Sequence, residues 1–197
     1  MAEGESRRDY EFIVDAIPQG ARVLDLGCGE GTLLKMLVDR KSVRGTGIEI
    51  VEERVYEAVE RGLTVHHGDF YEGLSYYPDD SFDYVILSQT LQQAQETVAV
   101  LTEALRVGHY LVASFPNFAH WKARLQLLAL GRAPVTRALP YQWYDTPNVH
   151  HCTLVDFEAL CDKLGLRILE RVVLNNGDSV SLLPNLLGSL AVYRVSA

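Results

Sequence analysis

Between Ala21 and Gly31 the chain reads Ala-Arg-Val-Leu-Asp-Leu-Gly-Cys-Gly-Glu-Gly, and no other stretch restricts the fold so tightly. Val23, Leu24 and Leu26 form a short apolar run that stops at Gly27, Gly29 and Gly31. From Thr32 to Val38 the apolar positions are spaced for one face of a helix. A buried strand, a glycine turn and a helix, in that order, open a nucleotide-binding βαβ unit. Glycine suits the turn because a backbone that must approach a ligand closely has no room for a Cβ. The dinucleotide fingerprint needs glycine or alanine at its last position, and here that position is Thr32.

What stands instead is Asp25-x-Gly27-x-Gly29-x-Gly31, with the acid two residues ahead of the first glycine. This resembles the first motif of the class I S-adenosylmethionine-dependent methyltransferases. The resemblance implies a Rossmann-like α/β fold: a mostly parallel seven-stranded sheet, helices on both faces and an antiparallel edge strand. It also implies that Asp25, with the loop amides of Gly27 and Gly29 on either side of Cys28, faces the methionine part of that cofactor.

The 197 residues, 48% hydrophobic and 22% charged, suit one globular domain with a sizeable core. A net charge of −8 disfavours unspecific attraction to nucleic acid or to an anionic membrane. Cys28, Cys152 and Cys161 have no short paired spacing, which argues against a disulfide framework or a zinc knuckle. Neither a signal-peptide core nor an apolar run of transmembrane length is found, so the cytoplasm is the expected compartment.

Tyr10, Ile13, Val14 and Ile17 recur at helical spacing and predict a packing helix that ends at Pro18-Gln19-Gly20. Val43 to Glu49 reads as a second strand ending in an acid, about 20 residues past the glycine loop, where a carboxylate accepts from both ribose hydroxyls. An acid there also suits the first turn of a helix over 51–61. Leu63 to His67 is a third strand, whose alternation sends His66 and His67 to opposite faces and away from a shared metal. Gly68-Asp69-Phe70 comes next. In the methyltransferases such a dipeptide places its aspartate near the adenine amino group with an apolar neighbour against the ring, although a polar turn reads the same way. Pro78 to Ser88 reads as a turn feeding a fourth strand and is similar to the family's fourth-strand signature. The same resemblance puts Ile50 and Ser88 among the cofactor-binding positions. Gln92 and Gln93 occupy the next loop, and no histidine or acid stands there as a general base.

From Pro116 to His151 a cap is expected, locally basic and rich in aromatics. Trp121, Leu125 and Leu128 share a helical face that Gly131 ends, and Pro134, Pro140 and Pro147 keep the rest of the cap from forming a long element. Lys122, Arg124, Arg132 and Arg137 face a single acid, Asp145. Trp121, Arg124, Arg132, Tyr141, Trp143 and Tyr144 are therefore the candidates for an anionic-substrate pocket, a protein-docking surface or a lid that completes the core.

In this stretch Ser114 to Leu127, Gly131 to Thr136, Leu139 to Asn148 and His150 to Phe157 are very similar to the methionine biosynthesis protein MetW family. The likeness runs from about Arg22 to Leu174. It implies binding of S-adenosylmethionine or S-adenosylhomocysteine, and a regulatory or activating role beside a homoserine O-acyltransferase of the MetX type. A small-molecule methyltransferase acting on an anionic substrate is the other reading, with Tyr141, Tyr144, His150 or His151 as acid or base. Thr153 is expected to cap a helix through Leu164. Leu166 to Leu174 and Leu190 to Val195 should close the sheet as an antiparallel edge, joined through the Asn175-Asn176-Gly177-Asp178 turn. Leu182, Leu183, Leu186 and Leu187 are candidates for core or for a homodimer contact.

Overall fold

The computed structural model describes residues 8–197. In chain order, α1 (Arg8–Ala16) leads to β1 (Arg22–Leu26), α2 (Thr32–Lys41), β2 (Arg44–Glu49), α3 (Glu52–Glu60), β3 (Thr64–His67), the short α4 (Phe70–Leu74) and β4 (Phe82–Ser88). After a 3-10 turn at Leu91–Gln93 come α5 (Thr97–Val107), β5 (Gly108–Pro116), α6 (Trp121–Leu130), α7 (Leu154–Leu164), β6 (Arg167–Asn175), β7 (Asp178–Ser179), α8 (Pro184–Leu187) and β8 (Leu190–Ser196).

All the strands join one sheet in the order β3-β2-β1-β4-β5-β8-β6-β7. The pairings from β3 through β5 are parallel, and β8 slots antiparallel between β5 and β6. Seven of these strands match the expected sheet. The eighth, β7, is two residues long and exists because Asn176 and Gly177 both adopt positive φ, the backbone of a tight hairpin turn.

Period-two alternation divides the strand side chains between two cores. Leu24, Leu26, Val85, Leu87, Leu111, Ala113 and Phe115 face α5 and α7, where Phe157, Cys161 and Tyr193 complete the packing. Val23, Tyr84, Ile86 and Val112 face α1 and α2. The C-terminal ends of the parallel strands share one edge, and the strand order reverses between β1 and β4. A crevice at that edge is where open α/β sheets bind ligands.

The expected cap begins after β5. Asn117 anchors its start: its Nδ2 donates to the carbonyls of Asn185 and Gly188, and its Oδ1 accepts from Ala119 N. Beyond α6 the chain has no regular structure until α7, and side chains tie it down. Gln126 exchanges two hydrogen bonds with the backbone of Val135, at 2.9 and 3.0 Å. The far end returns to the sheet edge, where Val149 N and His150 N both donate to Gln92 O. Leu182 and Leu183 lie on the surface and do not join the core, because Leu183 turns through a left-handed conformation before α8. None of the described helices is long and apolar enough to cross a membrane.

Candidate functional site

β1 and β2 deliver two carboxylates to the crevice, Asp25 and Glu49, only 2% and 4% exposed. Glu49 Oε2 accepts from Gly29 N at 2.8 Å and its Oε1 accepts from Val51 N at 2.9 Å. One side chain thus fastens the glycine loop to the start of α3. Gly27 N and Cys28 N both donate to Ile48 O, at 2.8 and 3.1 Å. The amides of Gly27 and Gly29, expected to face the cofactor, donate here to Ile48 O and to Glu49 Oε2. Gly27 and Gly29 have φ of 71° and 58°, a region that favours glycine. A Cβ on Gly27 would lie 2.8 Å from Thr90 Cγ2, whereas a Cβ on Gly29 would meet no protein atom within 4 Å and would point into open space.

The loop, the carboxylates and the cap enclose a cleft of about 840 Å³. Of the expected cofactor positions, Asp25, Gly27, Cys28, Gly29, Glu49, Ile50, Phe70 and Ser88 line it. Gly68 and Asp69 do not line it. Asp69 is the N-cap of α4, its Oδ1 accepting from Tyr71 N and Glu72 N at 2.8 and 3.3 Å. Burial pushes the Cys28 thiol pKa far up, with Asp25 and Glu49 adding to the effect, so the thiolate is disfavoured there.

The cap residues separate into two sets. Tyr141 lines the cleft, together with Lys122 and Arg137. Trp121, Trp143 and Tyr144 face outward, the last two as an edge-to-face pair 5.8 Å apart. Arg124 is used for structure: its Nε donates to Ala119 O at 2.6 Å and its Nη2 to Asn185 O at 3.5 Å. Arg132 is exposed and outside the cleft. Of the expected acid–base candidates only Tyr141 reaches the cleft. His150 Nε2 lies 3.2 Å from Gln95 O, His151 stacks on Phe118, and Tyr144 points away. No cluster of three or more metal-ligating side chains occurs among the described residues.

Three residues that line the cleft were not among the expected site residues. Asp9 and Tyr10 arrive from α1, which makes that helix a wall of the site as well as a packing element, and Asp9 Oδ2 accepts from Gln89 Nε2 at 3.2 Å. The third is His120, 7% exposed at the start of α6. Its pKa is lowered by burial first and by the Lys122 charge second, so the ring is neutral near pH 7. The cleft lining is charged on both sides: Asp9, Asp25, Glu30, Glu49 and Arg54 come from α1, the strand ends, the glycine loop and α3, and Lys122 and Arg137 from the cap.

An adenosyl-sulfonium cofactor fits these residues. The opening over Gly29 admits a ligand where a Cβ would stand, and the buried carboxylates match a cation and a pair of hydroxyl donors. The backbone agrees with solved methyltransferases. An S-adenosylmethionine-dependent methyltransferase from Mesorhizobium loti superposes with a TM-score of 0.70 at 17% identity, covering 98% of this chain and 99% of that one. One from Archaeoglobus fulgidus superposes with a TM-score of 0.68 at 18% identity, covering 95% and 94%. Fold and site thus define a class I S-adenosylmethionine-dependent methyltransferase fold.

Sequence narrows this further. The family described as methionine biosynthesis protein MetW matches residues 7–195, and the chain belongs to that family. A bifunctional methionine biosynthesis protein MetXA/MetW from Rhodopirellula baltica is 39% identical over 173 residues, 83% of this chain and 28% of that protein. A demethylmenaquinone methyltransferase from Listeria welshimeri is 31% identical over 121 residues, 54% of this chain and 50% of that enzyme. The chain therefore spans about half or less of the length of these relatives.

Proposed function

We propose that this chain is a subunit that binds S-adenosylmethionine or S-adenosylhomocysteine in the cleft and docks a homoserine O-acyltransferase through the outer face of its cap, setting that enzyme's activity. The observation that carries this reading is the apolar surface of α6 and the segment after it. Leu128 is 87% exposed and Trp143 75%, with Leu125, Leu127, Leu130 and Tyr144 exposed around them. Only Ala123 of α6 is buried. Large apolar side chains exposed at this density are typical of interaction sites, and aromatic anchors of this kind dominate interface energies. The Rhodopirellula relative, whose name joins MetXA and MetW in one protein, supports the choice of partner.

The cofactor end of the reading rests on Glu49 and Asp25. Each oxygen of Glu49 already accepts one backbone amide and keeps acceptor capacity for a ribose hydroxyl. Phe70 offers an apolar wall at the start of α4. The bound cofactor would supply a sulfonium methyl group. The residues around it bind and orient, and exclude water once the partner covers the cap.

The deciding experiment is homoserine acyltransferase activity of the host's own enzyme with and without this chain, repeated with Leu128→Asp and with S-adenosylmethionine added. Activity that depends on the chain and is lost in Leu128→Asp supports the docked subunit. Unchanged activity under every condition rejects it. A second reading, methyl transfer to an anionic small molecule, is favoured by one observation, the buried His120 lining the same cleft as Lys122. Recovery of a methylated product from a metabolite mixture would select it.

A further inference from the structure

The exposed aromatic pair Trp143 and Tyr144 stands on a loop whose two stems are walls of the cleft. Pro140 and Tyr141 line the cleft on one side of the loop, and Pro147 and Asn148 line it on the other. Between them, residues 142–145 are exposed and do not line the cleft.

Each stem is fastened to a different part of the protein. Ahead of the first, Thr136 and Leu139 exchange backbone hydrogen bonds at 2.9 and 3.1 Å, Leu139 is buried, and Gln126 of α6 holds Val135. Behind the second, Val149 N and His150 N donate to Gln92 O at 2.9 and 3.0 Å. Gln92 itself lines the cleft, its Nε2 donating to Gln89 O at 2.8 Å. Ties within the loop are slighter. Asp145 N donates to Gln142 O at 3.3 Å, and Asn148 N donates to Thr146 Oγ1 at 3.1 Å. The proline in each stem fixes its own φ, which leaves less backbone freedom there to absorb a displacement.

A ligand in the cleft therefore bears on the aromatic pair without touching it. Its contacts with both stems exist only while the stems are seated, so binding favours the seated loop. Ordering supplied by one ligand need not be supplied again by a second, which is positive cooperativity. The exposed leucines of α6 stand differently, since they are carried by a regular helix and do not line the cleft.

We propose that the docking face has two parts: α6, presented whether or not the cleft is filled, and the Trp143–Tyr144 loop, set for docking when an adenosyl ligand fills the cleft. This rests on the docking reading and gives its regulation. Adenosyl ligand and acyltransferase bind the chain with positive coupling, by the same factor in either order.

The test has two readouts on the full chain, with S-adenosylhomocysteine as the probe. Calorimetry first establishes that the probe binds, and no binding rejects the cofactor reading and the gating with it. Hydrogen exchange read by mass spectrometry should then slow at least about fivefold over residues 142–145 and stay within about twofold over α6. Unchanged exchange over 142–145 with the probe bound overturns the gating and leaves the cofactor and docking readings standing. The second readout is affinity for the host's homoserine acyltransferase, which should rise about tenfold when the probe is present. In the double variant Trp143→Ser, Tyr144→Ser that ratio should fall to about one, and retained probe binding verifies that the variant folds. An acyltransferase affinity indifferent to the probe, or a ratio that survives the double substitution, overturns the gating. No acyltransferase binding in either state rejects the docking reading and the gating with it.

Discussion

Gly27 and Gly29 look equivalent in the sequence and differ in what surrounds them. Both backbones are left-handed, which costs a residue with a Cβ roughly 1–2 kcal/mol. A methyl group on Gly27 would in addition press on Thr90 at 2.8 Å, whereas one on Gly29 would meet only the cleft. Gly27→Ala is therefore expected to lower the thermal midpoint more than Gly29→Ala. Gly29→Ala is expected to reduce S-adenosylhomocysteine affinity by about tenfold or more at modest cost in stability. Thermal unfolding and calorimetry read the two effects separately, and unchanged affinity in Gly29→Ala would remove the loop from the ligand wall. The positions of Asp25 and Glu49 were legible because strand, glycine turn and terminal acid form a local pattern. The engagement of the loop amides by Ile48 O and Glu49 was not, since it depends on how β1 and β2 lie together. Nor was the placing of His120 in the cleft, which lies inside the Ser114–Leu127 family stretch but reaches the cleft because β5 runs beside β4.

Two cap-side helices show how the same apolar content serves opposite ends. α7 reads as expected. Thr153 Oγ1 accepts from Asp156 N at 3.2 Å and donates to Asp156 Oδ2 at 2.7 Å, and Leu154, Phe157 and Cys161 are buried against β6 and β8. Thr153→Ala should lower unfolding free energy by about 1 kcal/mol in chemical denaturation. α6 carries a run of leucines yet buries none of them. Leu128→Asp should therefore leave the unfolding free energy within about 0.5 kcal/mol of wild type, as a surface change does. A marked loss in Leu128→Asp would mean that α6 is a structural element and would end its candidacy as a docking face. The helix itself was legible from the Trp121–Gly131 spacing. Its outward display was not, because periodicity marks an apolar face without saying whether the cover comes from the same chain.

Across the whole molecule, the sulfur and phenol groups link packing to pH. Burial raises the Cys161 thiol to about 11 and the Cys152 thiol to about 12, from an ordinary 9.0. It raises Cys28 and Tyr193 still further, the tyrosine also donating to Glu158 Oε1 at 2.7 Å. In each case the folded protein favours the protonated form. The stabilising contribution is thus complete below the ordinary pKa and disappears as pH climbs from there through the folded value. Between about pH 9 and 11 each buried thiol should remove at most about 1.4 kcal/mol of stability per pH unit. Denaturation midpoints in urea at about pH 7.5, 9 and 10.5 should accordingly fall steeply over the last interval, and Cys161→Ala should flatten the fall. At about pH 8 the same thiols should react with an aromatic disulfide reagent far more slowly in the native chain than in denaturant. A flat alkaline profile together with fast native labelling would show that the two helix layers do not seal the sheet. In that event the apolar display of α6 would lose its significance, because exposed leucines single out a docking face only on a molecule whose core is otherwise closed.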